Sequence, residues 1–145
     1  MPARALKEVV IPWRRESRLR QQLARTPLLS SVGAAELGRL AAEGRERRYG
    51  EGDVIVREGD AGSAFFIVLD GAACVSIDGV IVRTVGTGDV FGEVALLRGV
   101  PRSATVVAAT DLDCLLLTSW DLAGFLAAHE AVARTLRAQA LRYAA

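Results

Sequence analysis

The sequence predicts an α+β protein: an antiparallel β-roll, of the double-stranded β-helix or jelly-roll kind, flanked by N-terminal and C-terminal helices. Three observations carry this. From Gly50 to Thr118, short apolar runs bounded by Gly or Asp follow one another, with turn residues roughly every eight to twelve positions. On either side of that region the apolar spacing is helical. No long alternation of strand and helix patterns occurs, so a doubly wound parallel sheet is disfavoured.

In chain order, residues 1–26 read as a basic arm or linker, interrupted by Pro2 and Pro12, with a basic helical stretch from Ser17 to Arg25. The folded domain is expected over 27–145. Leu37, Leu40 and Ala41 recur at i, i+3 and i+4 behind Gly33 as N-cap and Glu36 at the third helical position. That spacing predicts a helix over 34–43. After Gly50 the period shortens to that of a strand. The runs VIV (54–56), AFFIVL (64–69), AACVSI (72–77), VIVRTV (80–85), DVF (89–91), ATVVAA (104–109) and LDCLLL (112–117) are the predicted strands. Asp78-Gly79 lies between two of them and suits a two-residue type I′ turn. Thr118 or Ser119 can then cap a helix with Leu122, Phe125 and Leu126 on its apolar face. A second stripe of Val132, Leu136, Ala140 and Tyr143 predicts a further helix after a bend near His129.

A chain of 145 residues has room for one domain with a sizeable core. Its net charge of +1 hides an asymmetry: residues 1–25 hold seven of the 18 Lys/Arg, opposed only by Glu8 and Glu16. The rest is acidic, and polyanions require a basic face, so the body does not read as a nucleic-acid binder. For the arm two readings stand, contact with an acidic or headgroup surface and a solvated helix or linker. The two cysteines, Cys74 and Cys114, lie inside apolar runs and read as small buried residues rather than a disulfide or zinc site. No secretory leader pattern and no window of 18 apolar residues is present, so a cytoplasmic location is expected.

Catalysis is disfavoured by what the chain lacks. The single histidine, His129, lies outside the strand region, whereas a β-roll metal enzyme needs several ligands converging inside the barrel. No Gly-x-Ser-x-Gly elbow accompanies it, and the only lysine, Lys7, is not in a phosphate loop. No cofactor or metal is expected, and a binding module is the better reading.

The stretch FGEVALLRGVPRSATVV, residues 91–107, holds the chemistry. Gly92 lets backbone approach a ligand closely. Residues 92–97 are short enough for one helical turn whose free N–H groups can face an anion. Arg102 supplies a guanidinium suited to two phosphate oxygens, and Ser103 adds a hydroxyl donor beside its own N–H and that of Ala104. Glu93 cannot hold a phosphate but is a good acceptor for a sugar hydroxyl. A phosphate and a ribose together make a nucleotide. The competing reading is a surface ion pair between Glu93 and Arg102 that joins the two ends of a loop.

On these residues the chain resembles the cyclic nucleotide-binding domains of catabolite-activator-type regulators, protein kinase A regulatory subunits and nucleotide-gated channels. That family's phosphate-binding cassette reads F-G-E-[LI]-[AG]-L, a short spacer, then P-R-[ASTV]-A-[ST]. Here Phe91-Gly92-Glu93-Val94-Ala95-Leu96 and Pro101-Arg102-Ser103-Ala104-Thr105 stand in those places. Upstream, Gly52-Asp53-Val54-Ile55, Glu58-Gly59-Asp60 and the run from Phe65 to Gly71 are similar to the family's first strands and turns, and the resemblance covers roughly residues 27–143. It implies that Glu93 accepts from a ribose 2′-hydroxyl and that Arg102 pairs with the cyclic phosphate. Gly92, Val94, Ala95, Ser103 and Ala104 would line the cassette, with Val82, Val85 or Phe91 contributing to an apolar base pocket. Gly52, Gly59 and Gly71 match family turn glycines and read as structural.

The resemblance further implies a conformational mechanism, in which a C-terminal helix closes over the base; Leu136, Ala140 and Tyr143 are candidates for this lid, and the alternative is that they simply pack on the roll. Cyclic AMP is favoured over cyclic GMP, because Ser after the arginine goes with adenine in bacterial activators. The regulated effector would be a domain or partner not encoded here, and the basic arm would be the stub of a linker from a membrane-adjacent or enzymatic parent. Three other readings stay open: a degenerate domain of this fold serving as a nucleotide-independent scaffold, an enzyme on a β-roll, and a DNA-binding regulator acting through its basic arm.

Overall fold

The computed structural model describes residues 12–142, and the predicted Tyr143 position lies outside them. Helix α1 (Pro12–Ala24) leads through a short 3-10 turn, Pro27–Leu29, to α2 (Ala34–Glu43). Eight strands follow: β1 (Arg45–Tyr49), β2 (Val54–Val56), β3 (Ala64–Asp70), β4 (Ala72–Ile77), β5 (Val80–Gly86), β6 (Val90–Phe91), β7 (Thr105–Ala108) and β8 (Leu112–Thr118). A short helix, α3 (Glu93–Arg98), interrupts them between β6 and β7, and α4 (Ser119–Ala128) and α5 (Glu130–Arg142) complete the described chain.

The strands form two antiparallel four-stranded sheets, in the orders β1-β8-β3-β6 and β2-β7-β4-β5. One apolar core lies between the sheets, with Phe66, Val68, Val75, Phe91, Val106 and Cys114 among its members. A second lies between the first sheet and the helices, where Phe65, Ile67, Leu115 and Leu117 meet Leu19, Leu40, Leu126 and Leu136. The result is three layers: helices, sheet, sheet. It explains why AFFIVL is apolar throughout instead of alternating. Odd positions of β3 face the helices, even ones face the interior of the roll, and both sides are dry.

The capping and turn chemistry read from the sequence is present. Thr118 accepts from the Asp121 amide at 3.0 Å at the start of α4, and Asp78 and Gly79 both adopt positive φ in the β4–β5 turn. The charged run RERRY gave no strand signal, yet it forms β1, pairing with β8. It is an edge strand that places only Tyr49 in the core, and backbone pairing tolerates charge along such an edge.

The N-terminal boundary also needs revision. Within the described residues the helix already runs from Pro12, upstream of Ser17. Leu19 and Leu23 are wholly buried in the helix-side core. Arg18 donates through both terminal nitrogens to Glu46 of β1, at 2.9 and 3.0 Å, and Arg20 pairs with Glu16. Residues 12–24 are thus packed on the domain rather than extended from it as an arm. No helix among the described residues is long and apolar enough to cross a membrane.

Leu19→Ala is expected to cost about 2–5 kcal/mol in chemical unfolding, the range for a fully buried leucine. A loss below about 1 kcal/mol would return this helix to the status of a loosely attached arm.

Candidate functional site

The predicted loop folds into the wall of a cavity of about 240 Å³ at one end of the β-roll. Its apolar side continues the interior faces of the second sheet, with Val56, Val75, Ile77 and Val106. Of the residues singled out from the sequence, Phe91, Gly92, Glu93, Val94, Ala95, Arg102, Ser103 and Ala104 all line it. Val82 also reaches it. Val85 does not: it is buried between the sheets, so the proposed base contact is corrected to a core position.

Glu93 and Arg102 do not form a surface ion pair. Glu93 is 1% exposed and Arg102 7%. The Arg102 guanidinium donates to the carbonyl oxygens of Ala64 at 2.7 Å and Gly92 at 3.1 Å. It lies 5.8 Å from the centre of the Phe66 ring, which itself stacks on Phe91 at 4.6 Å. These contacts use part of the guanidinium's five donors and leave it oriented at the cavity wall. Burial pushes the Arg102 group below its usual value, and the Glu93 carboxylate partly counters that shift. The backbone of Arg102 is held too, donating to Asp60 and accepting from Gly59 at 2.8 and 2.9 Å.

Two glycines make room for this side chain. Gly92 caps α3 with a φ of 89°, and a Cβ there would stand 2.9 Å from Arg102 Nη1. At Gly62 a Cβ would overlap the guanidinium itself. Gly62 carried no signal in the sequence, because its role is set by a side chain forty positions further along the chain.

Glu93 opens α3 and turns its carboxylate into the structure. Its Oε1 accepts from Gln139 Nε2 of α5 at 3.2 Å, and Arg83 Nη2 stands 3.8 Å away. Its Oε2 is buried and has no hydrogen-bond partner among the described residues. A buried acceptor in that condition favours a ligand that brings a donor. Arg83 was missed by strand alternation. Val75 pairs with Arg83 and Ser76 with Ile81, so Val82 is an extra residue in β5, and this bulge brings Val82 and Arg83 both to the cavity. Arg142 of α5 completes the wall. Of the lid candidates, Leu136 is buried in the helix-side core and Ala140 is buried on the same helix.

Comparison with known proteins identifies the family. The cyclic nucleotide-binding domain family model matches residues 46–129. A cyclic nucleotide-gated potassium channel of Rhizobium etli is 36% identical over 121 residues, which is 83% of this chain and 34% of the channel. The cAMP-dependent protein kinase regulatory subunit of Yarrowia lipolytica is 42% identical over 92 residues, 62% of this chain and 24% of that subunit. The regulatory domain of Toxoplasma gondii PKA, solved with cAMP, is similar at a TM-score of 0.82 and 28% identity, covering 90% of this chain and 51% of that one. The chain therefore spans about a third or less of the two relatives matched by sequence. The family is one of ligand-binding modules and not of enzymes. With the β-roll, the cassette and a family match over more than half its length, the chain belongs to the cyclic nucleotide-binding domain family.

Proposed function

We propose that this chain is a regulatory module that binds a cyclic nucleotide, cyclic AMP in preference to cyclic GMP, and passes the binding event to another domain or partner. The observation that carries the reading is that a buried guanidinium and a buried carboxylate line one apolar cavity. Arg102 takes the cyclic phosphate, with the Ser103 hydroxyl and the Ser103 and Ala104 amides beside it. Glu93 accepts from the ribose 2′-hydroxyl, the donor its Oε2 lacks. Val56, Val75, Ile77 and Val82 offer the base an apolar surface. Cyclic AMP is also the ligand named in the solved Toxoplasma gondii relative.

The output runs through α5, which lines the cavity with Arg142, donates to the cavity's Glu93 through Gln139 and packs elsewhere on the helical layer. A ligand shifts this helix only by the difference in its affinity for the two helix positions. The effector is a second domain or protein of cytoplasmic type, with a membrane-adjacent parent among the candidates because one relative is a channel.

Calorimetric titration of nucleotide-stripped protein tests the reading. Stoichiometric binding of cyclic AMP, with weaker binding of cyclic GMP, is expected. If neither nucleotide binds, the domain is a scaffold of this fold. Arg102→Ala should weaken cyclic AMP by about 10- to 100-fold, the worth of a charge-assisted contact. Replacing Arg98, exposed at the end of α3, should leave affinity within about twofold, a surface effect. Gly62→Ala should reproduce the Arg102→Ala loss by displacing the guanidinium, while circular dichroism still reports a folded β-roll. Unchanged binding in that variant would show that Arg102 can hold phosphate from another position.

A further inference from the structure

We propose that Gln139, on helix α5, is the positioning residue that sets Glu93 for a hydroxyl donor, so that recognition of a ribose 2′-hydroxyl depends on a side chain from outside the β-roll. This rests on the cyclic-nucleotide reading above. Glu93 is 1% exposed, and a carboxylate so deeply buried must be held by donors. Within hydrogen-bonding distance, the donor recorded for it is the Gln139 amide, on Oε1 at 3.2 Å. Arg83 stands further off, at 3.8 Å from the same oxygen. The second oxygen, Oε2, is buried without a partner among the described residues.

The choice of an amide matters. The terminal torsion of a glutamate is broad, and its two oxygens are chemically equivalent, so nothing within Glu93 decides which oxygen is left for a ligand. A neutral donor fixed on Oε1 decides it, and leaves the negative charge intact to accept a hydroxyl on Oε2. Without that amide, the neighbouring cation is Arg83. A closer pair with Arg83 would occupy and rotate the carboxylate, at the expense of the ligand hydroxyl.

The position of Gln139 on its helix supports a dedicated role. Val132, Ala133, Leu136 and Ala140 form the buried stripe of α5, and Gln139 sits half-buried at its border. There the helix packs beside α3, whose first residue is Glu93, so the amide reaches the carboxylate across two elements distant in sequence. An alkyl side chain of the same length would fit the stripe and remove the donor. Recognition of the sugar and docking of the last helix therefore share one carboxylate.

The test is titration of the whole chain and its Gln139→Leu variant with 3′,5′-cyclic AMP and with its 2′-deoxy analogue. The original protein is expected to prefer the ribo-ligand by about tenfold or more, the worth of a hydrogen bond to a buried charge. In Gln139→Leu that ratio should fall to within about threefold through weaker ribo-ligand binding, with deoxy affinity unchanged within about twofold. Gln139→Met, similar in length and unbranched but lacking an N–H donor, should give the same collapse and guards against a packing defect from leucine. Equal weakening of both ligands, or a preserved ratio, would overturn the role of Gln139 while leaving the cyclic-nucleotide reading intact. Binding of both ligands by the original protein without preference would overturn it as well. If the original protein binds neither ligand, the functional reading itself fails and this proposal fails with it.

Discussion

A buried guanidinium constrains one whole corner of this molecule. Leaving the Arg102 cation without partners below the surface would cost several kcal/mol, so its surroundings are built around its donors. The carbonyls of Ala64 and Gly92 accept from it, and the Phe66 ring faces it. Two glycines, Gly62 and Gly92, leave the space that its planar head fills. The turn after β2, the start of β3, the end of β6 and the loop before β7 all converge there. Because each of those segments is held by Arg102 or shaped around it, the candidate phosphate site and a structural corner of the roll are the same object.

The layer order determines what that corner can influence. Strands β3 and β8 are buried on both faces, between the roll interior and the helices. The cavity opens from one side of this wall, and the N-terminal and C-terminal helices lie against the other. Helix α5 joins the two sides, since it packs on the helical layer through Leu136 and meets the Glu93 carboxylate through Gln139. Under the proposed function, occupancy of the carboxylate and the position of that helix are linked, in a reciprocal way.

Much of the architecture was legible because local patterns carried it. The helix over 34–43, the Asp78-Gly79 turn and the Thr118 cap depend on side chains within a few residues of one another, and all are present. Strand β1 was hidden because a charged edge strand announces itself only through its partner, β8. The basic stretch resembles an arm in sequence because its charges are conspicuous and its two buried leucines are not. Leu19 and Leu23, one helical turn apart, look ordinary until a core is found beneath them.

The sequence by itself determined the β-roll with flanking helices, the family resemblance, and two of the ionisable groups of the candidate site, Glu93 and Arg102. It could do so because the cassette is a continuous stretch, with Glu93 and Arg102 nine positions apart and their glycine and small neighbours in between. Only the tertiary structure decided how those groups are held. Gly62 matters because Arg102 lies over it, Arg83 because a bulge re-aims β5, and Gln139 because α5 packs beside α3. Val85 turned inward for the same kind of reason, since strand register and not residue type chooses its face. Local chemistry is written in neighbouring residues, whereas burial and partnership arise from contacts between segments far apart in the chain, and those exist only once the layers have closed.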